Sequence, residues 1–181
     1  MPKFQDMTVW RQAEALMQPA FIRLVANIGK QLEQSTWKGQ YEDVLVWAEG
    51  IDDATKAKVL QLRSDLEQAS NASTDSNPST EVDEIERTLA TLPSPYPGYQ
   101  LCLTQNSQQV RVDLWELCYR ICFRDYDAES GTSRNRGFGQ PPSQSVEVDR
   151  TLFDETGEVD WNRLDDKTKS LVDQIFTNLP A

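Results

Sequence analysis

Between Trp10 and Leu32 the apolar residues Trp10, Ala13, Met17, Phe21, Leu24, Ile28 and Leu32 recur every three or four positions, which places them on one face of a helix. Pro19 falls inside this pattern. Proline removes a backbone donor and presses on the preceding turn, so the helix is expected in two parts, kinked at Pro19 or restarted with it as the first residue. The segment Tyr41 to Trp47 is short, aromatic and β-branched, and lies between Gly39 and Gly50; it predicts a strand. Asp52 or Asp53 then caps a helix with a thin apolar face of Val59, Leu62 and Leu66.

Residues 69–80, ASNASTDSNPST, are almost all small and polar and cannot bury enough surface to offset their own ordering. A flexible linker is expected there, joining two helices in a hairpin. The second helix, behind a Ser79 or Thr80 cap, aligns Val82, Ile85, Leu89 and Leu92 and must stop at Pro93. The following PSPYPG reads as a rigid connector. Tyr99 to Thr104 and Gln109 to Leu114 flank the polar Gln105-Asn106-Ser107-Gln108 and predict a β-hairpin.

The run from Tyr99 to Asp127 holds all three cysteines and five of the sixteen aromatic residues. Within it Trp115, Leu117, Tyr119, Ile121 and Phe123 alternate with Glu116, Cys118, Arg120, Cys122 and Arg124, a period of two that favours a strand with one buried face. The phase changes at Leu114-Trp115, where a bulge or short turn is expected. A helix is the competing reading: it gathers Leu114, Leu117, Cys118, Ile121 and Cys122 on one side, behind Asp113 and Glu116 in capping-box-like spacing. Residues 127–144, rich in Gly, Pro and Ser, form a long loop before a candidate strand at Val146 to Asp149. A closing helix carries Trp161, Leu164, Thr168, Leu171, Ile175 and Leu179 at helical spacing, widened by Val172 and Phe176. Together these elements predict an α+β fold: a small, mainly antiparallel sheet with packed helices, and long helices near both ends.

Composition narrows the function classes. At 181 residues the chain suits a single α+β domain, residues 1–181, with the linker and the loop as its irregular parts. A net charge of −11 repels phosphate at long range, so no nucleic-acid or anionic-membrane partner is expected; a basic protein surface is compatible with it. No stretch approaches the ~20 apolar residues of a membrane span, and the first residues lack a basic-then-apolar leader pattern, so membrane insertion is not expected and a cytoplasmic protein is. There is no histidine, which removes the commonest general base and zinc ligand. P-loop, GxSxG, HExxH and dinucleotide motifs are absent from the sequence, and neither a cofactor nor a metal is expected.

Two clusters carry candidate chemistry. Arg111, Arg120, Arg124, Arg134 and Arg136 concentrate positive charge in an acidic chain, and arginine's planar donors suit carboxylate or phosphate recognition; pairing with Glu116, Asp125 and Asp127 is the plainer alternative. Cys118 and Cys122 are neighbours if their segment is a helix, and about 13 Å apart if it is a strand; Cys102 is a third thiol. They are either inert, buried small residues or a redox pair. Asp125, Asp127, Glu129 and Gly131 have the look of the start of a calcium loop, without the distal glutamate, and turn chemistry accounts for them.

Through PSPYPGYQLCL, VRVDLWELCYRICFRDYD and DETGEVDW the chain resembles an uncharacterised family of small acidic conserved cyanobacterial proteins. The resemblance implies the cytosol of a photosynthetic bacterium and a link to assembly or regulation, and brings no site residues. The expected function is a non-catalytic protein-interaction or assembly factor whose partner is another protein. The alternatives are a thiol-dependent redox protein using Cys118 and Cys122, and an enzyme working through carboxylates.

Overall fold

A computed structural model of the chain describes residues 2–72, 80–134 and 144–180. It is α+β, with long helices near both ends and small antiparallel sheets. The elements run α1 (Met7–Gln34), β1 (Lys38–Val46), α2 (Asp53–Ala72), α3 (Thr80–Thr91), β2 (Tyr96–Gln105), β3 (Gln108–Asp113), α4 (Leu114–Cys122), β4 (Tyr126–Asp127), β5 (Thr132–Ser133), a short 3-10 turn (Arg150–Leu152) and α5 (Trp161–Thr177). Contacts divide the chain into two compact units, residues 1–42 with 99–181 and residues 43–98, whose boundaries fall within β1 and β2.

In the larger unit α1 is capped by Asp6, whose carboxylate accepts from the backbone N–H groups of Thr8 and Val9 at 2.8 and 2.9 Å. The helix continues through Pro19 for 28 residues, where the sequence predicts two parts. The lost donor is outweighed because Ala13 and Leu16 before the proline, and Ala20, Leu24 and Ile28 after it, are buried in one core. Polar rungs fix α1 on α5: Asn27 donates to Asp165 at 3.0 Å, Gln31 to Asp173, and the Arg23 guanidinium sits 5.2 Å from the Trp161 ring centroid.

The strands are ordered β1-β2-β3, and β2 pairs antiparallel with β3 from Gln100↔Asp113 to Gln105↔Gln108, as the expected hairpin. Its two-residue turn is closed by Asn106, which takes a φ of 53°, a left-handed conformation that asparagine tolerates. Strand β2 begins at Tyr96, so the last three residues of the PSPYPG connector are already strand.

The segment after β3 is the largest departure from the strand reading. Residues 114–122 are helical, and the side chains buried along α4 are Leu114, Leu117, Cys118, Ile121 and Cys122, the set gathered by the competing reading. Asp113 decides the matter locally, accepting from the N–H groups of Trp115 and Glu116 at 2.9 and 3.1 Å. The change of phase at Leu114-Trp115 is therefore a helix start, with no bulge. Tyr119 and Trp115, which a strand would have buried beside Leu117, are half-buried and exposed.

The predicted loop at 127–144 opens instead with a small hairpin, Tyr126↔Ser133 and Asp127↔Thr132, and residues 135–143 lie outside the described residues. The candidate strand at Val146 to Asp149 forms a single antiparallel bridge, Phe123↔Val148. Asp160 caps α5, whose buried residues are Leu164, Thr168 and Val172. In the smaller unit α2 and α3 pack together as the predicted helical hairpin. Asp52 starts α2 by accepting from the N–H of Thr55 at 2.9 Å. Ala69 to Ala72 are helical rather than linker, and of the predicted linker residues 73–79 lie outside the described residues.

A helical α4 with an Asp113 cap predicts two graded losses on substitution. Ile121→Ala, which opens a void at a fully buried position, is expected to cost about 3 kcal/mol, and Asp113→Ala about 1 kcal/mol, in urea denaturation.

Candidate functional site

The end of α4 opens onto a groove of about 750 Å³ lined by Arg120, Phe123, Arg124, Tyr126, Arg134, Asp149 and Lys167 among others. Its base is built by the ending of a helix. The last carbonyls of α4 have no partner within the helix. Lys167, reaching from α5, donates its ammonium to the Ile121 carbonyl at 2.6 Å, and the Asp149 backbone N–H donates to the Cys122 carbonyl at 2.9 Å. Lys167 also holds the Asp149 carboxylate at 2.7 Å, and Thr151 donates to the same carboxylate through its N–H and hydroxyl. Burial alone would raise the pKa of Asp149, but these hydrogen bonds and the ammonium outweigh it and hold the carboxyl below its usual range.

Phe123 and Tyr126 line the groove as members of an aromatic cluster. Tyr119, Phe123 and Tyr126 have ring centroids 5.6–6.1 Å apart, and Phe4 meets Phe123 edge-on at 6.0 Å. Burial, with the neighbouring Tyr119 and the acids Glu116, Asp127 and Asp113, pushes the Tyr126 phenol up to about 12, so it keeps its proton near neutral pH and stays a donor.

Of the five arginines singled out in the sequence, the fold brings Arg120, Arg124 and Arg134 to this groove. Arg120 pairs with Glu116 one turn back at 2.8 Å, Arg124 with Glu147 at 3.1 Å and Arg134 with Asp127 at 3.5 Å, with arginine side chains 49–71% exposed. The shared strand face expected for Arg120 and Arg124 does not exist: Arg120 is in the last turn of α4 and Arg124 follows its end. Arg111 is exposed on β3, in register with Cys102, and is not among the residues lining the groove, and Arg136 lies outside the described residues. Lys167 and Asp149 were not legible as site residues. They are 18 positions apart on different elements, and no spacing signal joins them.

The thiols are elsewhere. Cys102, Cys118 and Cys122 are free and buried. Cys118 and Cys122 lie one turn apart on the core face of α4; Cys122 touches the Met17 sulfur at 3.8 Å, and Gln109 donates to Cys102 at 2.8 Å. Burial pushes the Cys118 thiol up to about 12, helped by Asp113, and raises Cys122 further. Such thiols are protonated at neutral pH and are poor nucleophiles. The residues that resembled a calcium loop form a turn: Asp127 accepts from the Glu129 N–H at 3.0 Å, its carbonyl takes the Gly131 N–H, and Gly131 has a φ of 67°. Among the described residues no group of three or more histidine, cysteine, aspartate or glutamate side chains is placed to hold a metal ion. None of the described helices is long and apolar enough to cross a membrane.

No family model, no curated protein and no solved structure matches this chain. The groove's chemistry therefore stands on its own geometry.

Two outcomes follow from this geometry. Iodoacetamide applied to the native protein near neutral pH is expected to leave Cys118 and Cys122 unmodified, and to label both after denaturation; labelling of either in the native state contradicts their burial. The low Asp149 pKa contributes stability that is complete above the unfolded value, about 3.9, and is lost as pH falls through the lower folded value. Asp149→Asn, which strands the Lys167 ammonium, is thus expected to cost about 2 kcal/mol near neutral pH, with the gap to the unsubstituted protein narrowing below about pH 4 in urea denaturation.

Proposed function

We propose that this chain is a non-catalytic interaction protein, an adaptor or assembly factor of the cytoplasm, which engages another protein through the groove at the end of α4. The observation that carries this reading is the convergence of Arg120, Arg124 and Arg134 on a groove also lined by Tyr126 and Phe123. Each arginine is paired but is itself largely exposed; of the partners Glu147 is exposed and Glu116 and Asp127 are half-buried. Exposed pairs of this kind are worth at most about 1 kcal/mol, so a partner's carboxylates can take the place of Glu116, Glu147 or Asp127 at little cost. Arginine forks then give such contacts direction, and the aromatic side chains supply apolar area beside them. The base is rigid, because Lys167, Asp149 and the α4 carbonyls are all engaged with one another. Local charge is balanced rather than strongly positive, which fits a mixed polar and aromatic protein segment better than a polyanion.

The buried, protonated cysteines support packing over thiol chemistry. The direct test is capture of partners by the tagged protein from a native lysate, with Arg120→Ala/Arg124→Ala and Arg111→Ala in parallel. A partner held by the unsubstituted chain and by Arg111→Ala, and lost by the folded double variant, is the expected result. A partner held equally by all three places docking elsewhere, and the absence of any specific partner over several salt concentrations removes the reading.

A further inference from the structure

The smaller unit, residues 43–98, carries eleven acidic against four basic residues, a net −7 of the chain's −11. Its two helices are poorly buried. Helix α2 hides only Val59, and α3 hides no side chain at all although it is strongly amphipathic. The apolar stripe of α3, Val82, Ile85, Leu89 and Leu92, is left half-buried. Between the helices runs an open groove of about 450 Å³ lined by the half-buried Leu62 and Ile85 and by Asp65, Glu81 and Glu84 among others. No lysine or arginine is among the described residues that line it.

Glu81 is accounted for in part by its place in the first turn of α3, where the helix dipole favours a carboxylate. That explanation does not extend to Glu84, one turn on, which faces Glu81 at an i,i+3 spacing that destabilises the free helix by a few tenths of a kcal/mol. Nor does it reach Asp65 on the other helix, which is met by the amide of Gln61 at 2.9 Å rather than by a cation. A lining of half-buried apolar side chains and carboxylates without a cation is complementary to one kind of occupant.

We propose that the α2–α3 groove docks a basic amphipathic segment of a partner protein, with the segment's apolar side chains on Leu62 and Ile85 and its lysines or arginines on Asp65, Glu81 and Glu84. The docking adds cations to a unit that has few, and covers the helix face that the unit itself leaves half-open. This is a surface separate from the arginine groove, so either reading can fail without the other.

The probe is a short, fluorescently labelled synthetic helix of leucine and lysine with leucines at three-and-four spacing, compared with a scrambled peptide of the same composition and with a leucine–glutamate analogue, read by anisotropy against the full chain. The expected result is saturable binding of the leucine–lysine helix alone, weakened about tenfold in Glu81→Gln/Glu84→Gln and by less than about twofold in Glu67→Gln/Glu86→Gln, which removes the same charge from exposed positions outside the groove. Circular dichroism of both variants checks that the helices persist. Equal binding of the scrambled peptide, or equal weakening by the off-groove pair, reduces the effect to net charge and overturns the proposal. Self-association of the chain that Glu81→Gln/Glu84→Gln alters, without peptide binding, overturns it in favour of a second copy as the occupant.

Discussion

The larger unit depends on burying one side of a nine-residue helix. Alpha-helix α4 places Leu114, Leu117, Cys118, Ile121 and Cys122 in the core, where α1 and α5 pack against it. Such a short helix is not stable in water on its own, because nucleation consumes most of what a few backbone bonds return. Packing and capping must hold it. The Asp113 carboxylate closes its first turn, and Lys167 with the Asp149 N–H closes its last. Burying its apolar stripe then supplies the driving force, at roughly 25 cal/mol for each Å² removed from water.

Closing the helix is also what creates the groove. A buried C-terminal turn needs donors for its carbonyls, and here they come from a lysine and a backbone amide rather than from water. The lysine brings its counter-ion, Asp149, and with it a partly buried ion pair whose removal on one side alone leaves an uncompensated charge. Just outside this rigid base the chain leaves the helix at Phe123, turns through Asp125 with a φ of 45°, and sets Arg124, Tyr126 and Arg134 around the opening. Stability and the presentation of the arginines are consequences of the same termination.

The smaller unit shows the opposite balance. Its helices have clear amphipathic patterns, yet a hairpin of two helices has too little depth to hide them, and one buried valine is the result. The acidic residues around such a surface repel anions and attract cations at long range. Charge thus separates the two grooves: balanced and arginine-bearing in one, uniformly acidic in the other.

Where a segment's apolar residues had one period, the sequence determined the element: the helices α1 and α5, the α2–α3 hairpin and the β2–β3 hairpin follow from spacing and turn residues, with the α2 start at Asp52, while the caps at Asp6 and Asp160 came from the structure. Around residues 114–124 it could not, because apolar or cysteine side chains occupy positions that satisfy both a period of two and a period of 3.6. The alternation of Trp115, Leu117 and Tyr119 is real in the sequence, but tertiary burial selected Leu114, Leu117, Cys118 and Ile121 instead. Pro19 does not restart the helix for a related reason, since local propensity costs a fixed amount while a core on both sides of the proline contributes more. The arginines were visible as a cluster in sequence, and three of them do converge; their counter-ion Glu147, the Lys167–Asp149 base and the loss of Arg111 from the group were decided by tertiary structure alone. Spacing along a chain encodes contacts within one element. Contacts between elements depend on which faces the core brings together.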